Sequence, residues 1–218
     1  MYKNFFKRLL DIVISLIALP FLGLVILLFA PMIYFTDKGP VFYNAPRMGM
    51  NGKVFKMFKL RSMKVNAPVL KNADGSTYSG DDDPRVTKIG RIMRKTSVDE
   101  LPQILNVLLG HMSFVGPRPN LATGKYEEFD EVRKKRLSVR PGITGYSQAY
   151  FRNSIPQEKK FENDCYYVDH VSFVFDIKIL VQTVFSVLGS KNINYQESIG
   201  QNGDTEADKK DKKDEEHV

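Results

Sequence analysis

IVISLIALPFLGLVILLFAPMIYFT, residues 12–36, is the stretch on which the architecture turns, and it contains no charged side chain. About 20 apolar residues carry a helix across a bilayer core, so this run is long enough to do so. A cleaved leader needs a shorter apolar core and a small-residue cleavage site, whereas this run ends in Met32-Ile33-Tyr34-Phe35.

A straight span and a re-entrant helix compete, and three features favour the second. Both flanks are basic. Lys3, Lys7 and Arg8 precede the run; Lys38, Arg47, Lys53, Lys56, Lys59, Arg61 and Lys64 follow it, with Asp37 as the one acid. Positive flanks stay on the cytoplasmic side, so both ends call for the same face. Pro20 lies near the middle and removes a backbone donor, which marks it as the membrane break, with Gly23 just beyond. Asp11 opens the run and requires an interface. A helix-break-helix entering and leaving on one face satisfies all three, with Pro31 at the exit of the second arm.

Outward from this segment the chain changes character. It has 218 residues and a net charge of +7. From Gly203 onward seven acids stand against Lys209, Lys210, Lys212 and Lys213, which leaves the preceding body at +10. Such a body seeks an anionic partner, and beside a membrane segment the expectation is lipid or phosphorylated substrate, with no nucleic acid. The expected division is 1–36 for the membrane helix, 37–190 for the body and 191–218 for a charged, disordered tail. Cys165 is the single cysteine and is expected to pack; with three scattered histidines it argues against a zinc site.

The body reads as mainly α with short β elements (α+β). Val41-Phe42-Tyr43 and Val54–Phe58 are strand candidates, with Asn51-Gly52 as the turn between them. Residues 65–84 are loop, and Asp81-Asp82-Asp83 are expected to be solvated rather than to hold a metal. Residues 86–95 form a basic amphipathic helix suited to a membrane surface. A second helix carries Leu101, Ile104, Leu105 and Leu108 and stops near Gly110. Residues 125–138 form a charged helix, and 173–188 an apolar one for the core or the interface.

The densest chemical signal is RKTSVDELPQILNVLLGHMSFVGPRP, residues 94–119. Taken alone, Asp99 and Glu100 read as helix caps: acids at a helix start suit the dipole, and Ser97 with Glu100 fits a capping box. Their surroundings point elsewhere. Arg94 lies upstream, Arg118 sits between Pro117 and Pro119, and Arg140 precedes the stiff Pro141-Gly142-Ile143-Thr144-Gly145 turn. Paired carboxylates among arginines beside a membrane segment point to a metal–phosphate site, because Mg2+ favours one or two carboxylates plus phosphate oxygens.

These pieces resemble the monotopic phosphoglycosyl transferases, the bacterial sugar transferase family. The matching motifs are Lys59-Leu60-Arg61-Ser62-Met63, Asp99-Glu100-Leu101-Pro102-Gln103 with Asn106-Val107-Leu108, Met112 through Pro119, Arg140 through Gly145 with Gln148, and Asp176-Ile177-Lys178-Ile179. They stand in the family's order and cover the chain to about Gly189. The sequence departs from the family at Leu19 (often Ser), His111 (commonly Asp) and Tyr146-Ser147 (commonly Leu-Ala).

The resemblance implies a catalytic domain over 37–190 at the cytoplasmic face of the bacterial inner membrane. It implies that Asp99 attacks the β-phosphate of a UDP-sugar, expels UMP, and passes the sugar phosphate to undecaprenyl phosphate. Asp99 and Glu100 are then also the expected ligands of a Mg2+ cofactor. Arg94, Arg118 and Arg140, with Arg61 as a further candidate, are the expected phosphate contacts. Downstream glycosyltransferases are expected partners. The competing reading is a non-enzymatic, membrane-anchored assembly protein of a polysaccharide system.

Overall fold

The computed structural model describes residues 1–70, 78, 80, 82–152 and 154–188. The charged tail and Asp81 lie outside these residues. After a π-helical turn at Tyr2–Phe6, the apolar run forms one helix, α1, Lys7–Asp37. Then follow β1 (Ala45–Met48), β2 (Val54–Met57), α2 (Lys88–Thr96), α3 (Gln103–Leu108), β3 (Ser113–Val115), α4 (Glu131–Arg136), β4 (Gly142–Thr144), α5 (Tyr146–Tyr150), α6 (Gln157–Asp169) and α7 (Phe173–Leu188). The fold is mainly helical with short strands.

The expected break at Pro20 is corrected: α1 runs through both Pro20 and Pro31. Proline removes one donor from the ladder, and the apolar turns on either side keep theirs. Asp11, Ser15, Leu22, Val25 and Ile33 are the buried residues of α1. Their spacings of four, seven, three and eight keep them on one stripe through Pro20. The remaining faces expose Ile17, Leu24, Leu27 and Phe35, an apolar surface suited to lipid.

Both ends of α1 are fastened to the same body. At the start, Lys7 Nζ pairs with Asp176 of α7, whose Oδ2 also accepts from Tyr2 Oη at 2.6 Å and whose Oδ1 accepts from Tyr167 Oη at 2.8 Å. Asp11 Oδ1 accepts from Ser113 Oγ and from the Phe114 amide, each at 3.1 Å. At the far end, the Arg61 guanidinium grips Asp37 with two bonds of 2.6 Å. Ile33 enters a core cluster with Leu60, Ile89 and Met93.

β1 and β2 form an antiparallel hairpin in register Ala45↔Met57 to Met48↔Val54. Asn51 (φ 53) and Gly52 (φ 77) occupy the expected turn in left-handed backbone, which Asn and Gly tolerate. The first strand lies later than expected: Phe42 contributes only a bridge to Leu60, and pairing starts at Ala45. The expected helix over 125–138 is split, with a 3-10 turn at Tyr126–Glu128 before α4. Asp83 is not solvated. It is buried and holds Arg85 through Nε at 2.8 Å and Nη2 at 2.7 Å. A carboxylate taken out of water needs such a partner.

β3 and β4 pair in parallel, Ser113↔Gly142 and Val115↔Thr144. A Cβ at Gly142 would stand 2.2 Å from the Gly116 amide nitrogen, so two of the glycine-bearing motifs exist to let these backbones meet. Cys165 is half-buried, with Sγ 3.4 Å from the Val132 carbonyl, and burial pushes its thiol up, as suits a packing role.

The Arg61 guanidinium is buried but Asp37 is open to water, so the pair is partly screened and breaking it should cost roughly 1 kcal/mol. Arg61→Met is expected to lower stability by about that amount in chemical denaturation in micelles. The exchange of charges, Asp37→Arg with Arg61→Asp, should recover part of the loss. Wild-type stability in Arg61→Met would show that this end of α1 is held by packing alone.

Candidate active site

The segment Lys59–Ser62 organises the site. Its Leu60 amide donates to the Asp99 carbonyl at 2.9 Å. α2 lies directly against it, since a Cβ at Gly90 would fall 2.0 Å from the Ser62 carbonyl oxygen. Thr87 caps α2 by accepting from the Gly90 amide at 3.0 Å, and Ser97 ends it in left-handed backbone (φ 58). The chain then turns through Val98–Glu100 into α3, and this turn carries the two carboxylates.

Neither carboxylate is a cap. The turn and α3 have Ser97 and Pro102 at their leading positions, and neither makes a side-chain capping bond. Asp99 is 1% exposed instead. Its Oδ2 lies 3.0 Å from Lys59 Nζ but at an angle outside hydrogen bonding, and it has no hydrogen-bond donor among the described residues. Glu100 Oε1 accepts from Lys59 Nζ and from Arg118 Nη2, each at 3.1 Å.

The two carboxyls are driven apart. Burial raises Asp99 above the usual carboxylate range, with Glu100 adding to the rise and Lys59 only partly opposing it. Burial would raise Glu100 as well, but Arg118 and Lys59 together outweigh it and hold Glu100 well below that range. Adjacent carboxyls with opposed shifts are the pattern by which sites divide acid–base and nucleophilic roles.

Arg94 anchors Nε on Ser62 Oγ at 2.9 Å, lies 4.0 Å from Asp83 Oδ2, and is close enough to interact with both Asp99 and Glu100. Arg118 is half-exposed and turned onto Glu100. Two of the four expected arginines are therefore at the carboxylates and two are not. Arg61 spends its donors on Asp37 and on the Pro40, Met63 and Ile33 carbonyls. Arg140 donates Nε to the Gly110 carbonyl at 3.0 Å, beyond the far end of α3.

Sequence reasoning passed over three cations. Lys59 contacts both carboxylates. Arg47, on β1, has a buried Nε without a hydrogen-bond partner among the described residues and interacts with Arg118 and Glu100. Lys160, on α6, is close enough to Arg118 for repulsion. The available signal was the Lys59–Met63 motif, in which Arg61 rather than Lys59 drew the assignment. Four cations thus stand near two carboxylates, with Lys160 beside Arg118, an excess suited to a polyanionic ligand.

Among the described residues, no three His, Cys, Asp or Glu side chains form a metal-holding group. The pair with its unbonded Asp99 Oδ2 fits a cation that completes its shell from substrate phosphate and water, the habit of Mg2+.

Residues 2–190 match the bacterial sugar transferase family. The chain is 42% identical over 190 residues to the galactosyl transferase CpsE of Streptococcus agalactiae serotype III, covering 84% of this chain and 42% of that one. It is 42% identical over 187 residues to the sugar transferase EpsL of Bacillus subtilis, covering 86% and 89%. It is 41% identical over 186 residues to the UDP-glucose:undecaprenyl-phosphate glucose-1-phosphate transferase of Escherichia coli K12, covering 82% and 39%. The chain thus spans less than half the length of the first and third of these relatives. It belongs to the bacterial sugar transferase family, and it is an enzyme of that class, which sets aside the assembly-protein alternative.

The upward shift of Asp99 has a consequence for stability. Below the unfolded carboxyl value of about 3.9, both states are protonated and Asp99 is neutral in each. As pH rises through the raised native value, the unfolded chain ionises first, so Asp99 progressively destabilises the fold. Asp99→Asn is therefore expected to raise the melting temperature at neutral pH, with the gain fading as the pH approaches 4. A variant that melts below the parent at every pH would make Asp99 a structural anchor.

Proposed function

We propose that the chain transfers a sugar 1-phosphate from a UDP-sugar to undecaprenyl phosphate at the cytoplasmic face of the bacterial inner membrane. The observation that carries this is the Asp99 carboxylate, buried among cations with one oxygen unbonded. A carboxylate in that state is under-solvated when ionised and free to attack. The name of the Escherichia coli relative supports the donor and acceptor classes.

In the first step, an Asp99 oxygen attacks the β-phosphorus, the bond from that phosphorus to the bridging oxygen breaks, and UMP leaves. An aspartyl phosphosugar remains. In the second step, an oxygen of the lipid phosphate attacks the same phosphorus and Asp99 departs as carboxylate. Lys59, Arg94 and Arg118 stabilise the charge that builds on phosphate oxygens, and Arg47 and Lys160 extend that field. Glu100 stays ionised and fixes the Lys59 and Arg118 cations in place. Mg2+ held by Asp99 and Glu100 would supply neutralisation of the diphosphate.

The same-face insertion of α1 is part of this proposal. It is supported by the basic flanks and by ion pairs that bind both ends of the helix to one body. That arrangement sets the site at the depth of a lipid phosphate. The lipid-linked sugar so formed is the substrate class of glycosyltransferases that extend it, and two further relatives carry exopolysaccharide production in their names.

The test is UMP release from a panel of UDP-sugars, including UDP-glucose and UDP-galactose, with undecaprenyl phosphate and Mg2+. Release with at least one donor is expected, together with a labelled phosphosugar on the protein when the acceptor is withheld. Asp99→Asn should lose both signals. Turnover persisting in that variant would remove Asp99 as the nucleophile.

A further inference from the structure

A second cationic site lies away from the carboxylate pair. A cavity of about 190 Å3 opens beside the first turns of α1, and its lining includes Lys3, Lys7, Arg8, Asp11, Arg140 and Tyr167. Its guanidinium groups are oriented by carbonyl oxygens, and Asp11 offsets Arg8 only in part. Arg8 donates to the Val107 and Leu108 carbonyls, and Arg140 to the Gly110 carbonyl. Carbonyl oxygens fix the direction of a guanidinium but carry no net charge to offset it. Arg8 and Arg140 stand close enough to repel each other. The carboxylates at hand are Asp11, bonded to Ser113 and Phe114, and Asp176, bonded to Lys7, Tyr2 and Tyr167. Four cations therefore stand against Asp11 in the lining and Asp176 behind Lys7, an excess of positive charge around the cavity.

The opposite face of these turns is apolar. Phe5, Phe6, Leu9 and Leu10 are exposed on the same turns that line the cavity. Cationic walls on one face of these turns and exposed apolar residues on the other, at the entry of a lipid-facing helix, match an anionic headgroup held at a membrane surface. The acceptor's reacting phosphate does not fit here. Arg140 lies at the Gly110 end of α3 and Glu100 precedes its start, a separation of about 15 Å at helical rise, too far for attack at Asp99.

We propose that this cavity holds the headgroup phosphate of an anionic membrane phospholipid between Arg8, Arg140 and Lys3, at the depth where the exposed Phe5, Phe6, Leu9 and Leu10 meet the bilayer. A lipid seated there relieves the Arg8–Arg140 repulsion and fixes the depth at which α1 enters. The proposal rests on the membrane placement of α1 and not on the transfer reaction.

The full chain, delipidated in detergent, is examined by native mass spectrometry with phosphatidylglycerol, phosphatidylcholine, undecaprenyl phosphate or inorganic phosphate. Phosphatidylglycerol is expected to stay bound about tenfold more than phosphatidylcholine, and Lys3→Gln with Arg140→Gln should remove most of that preference. Arg140→Lys, which keeps the charge, should keep the lipid. Equal retention of the two phospholipids, an unchanged preference in the double variant, or loss of the lipid in Arg140→Lys would overturn the proposal. So would binding of inorganic phosphate without preference for the lipid, or displacement of phosphatidylglycerol by undecaprenyl phosphate at equal concentration. UMP release measured on the same preparations separates failure of this site from failure of the transfer reading.

Discussion

Four consecutive residues join the membrane helix to the carboxylate pair. Lys59 reaches Asp99 and Glu100, Leu60 bonds the Asp99 carbonyl and fills the core cluster under Ile33, Arg61 holds Asp37 at the end of α1, and Ser62 orients Arg94. The segment is extended and short, so displacing α1 displaces the cations that set the charge state of Asp99. The placement of α1 and the site chemistry are therefore a single mechanical variable here. Gly90 is what permits this, because any side chain at that point would collide with the Ser62 carbonyl and push α2 off the segment.

The electrostatics of the pair follow from counting partners against burial. A cation about 4 Å away contributes on the order of 4 kcal/mol at an effective dielectric of 20, while withdrawing a carboxylate from water costs several kcal/mol. Glu100 has two such cations bonded to one oxygen, and attraction wins. Asp99 has one close cation, badly angled for a hydrogen bond, and a negative neighbour, so burial wins. One lysine shared between adjacent acids thus leaves one of them stably charged and the other under-solvated. The second condition is expensive for a fold and useful for a nucleophile.

Local signals in the sequence were reliable where local physics decides. The Asn51-Gly52 turn and the apolar helix Phe173–Leu188 stand where their patterns put them. The carboxylate pair was legible by its company of arginines. What escaped depends on contacts between distant residues. α5 and α6 carry weak periodicity because α6 turns a buried Asp164 toward Arg136, and such a polar core pair does not look like a core in sequence. The parallel β3–β4 pair joins segments too short to register as strands alone. Pro20 was given the weight of a helix breaker, yet a proline inside an apolar helix loses one bond and leaves the rest of the ladder in place.

The arginines show most clearly where motif reading stops. Arg118 and Arg140 sit in similar surroundings, each beside proline and close to glycine, and both looked like stiff phosphate forks. Their glycines serve a different purpose: Gly116, Gly142 and Gly145 let β3, β4 and the following turn approach at distances that exclude any Cβ. Stiffness at these positions belongs to the strand pairing, and the direction of each arginine is left to whatever carbonyl or carboxylate it meets. Arg118 meets Glu100 and joins the site; Arg140 meets the Gly110 carbonyl and joins Arg8 at the opposite end of α3. A six-residue helix thereby separates two positive regions with different counter-charges. One surrounds a buried carboxylate pair suited to chemistry on a diphosphate. The other carries an excess of positive charge over Asp11 and Asp176, available for holding an anion without reacting with it.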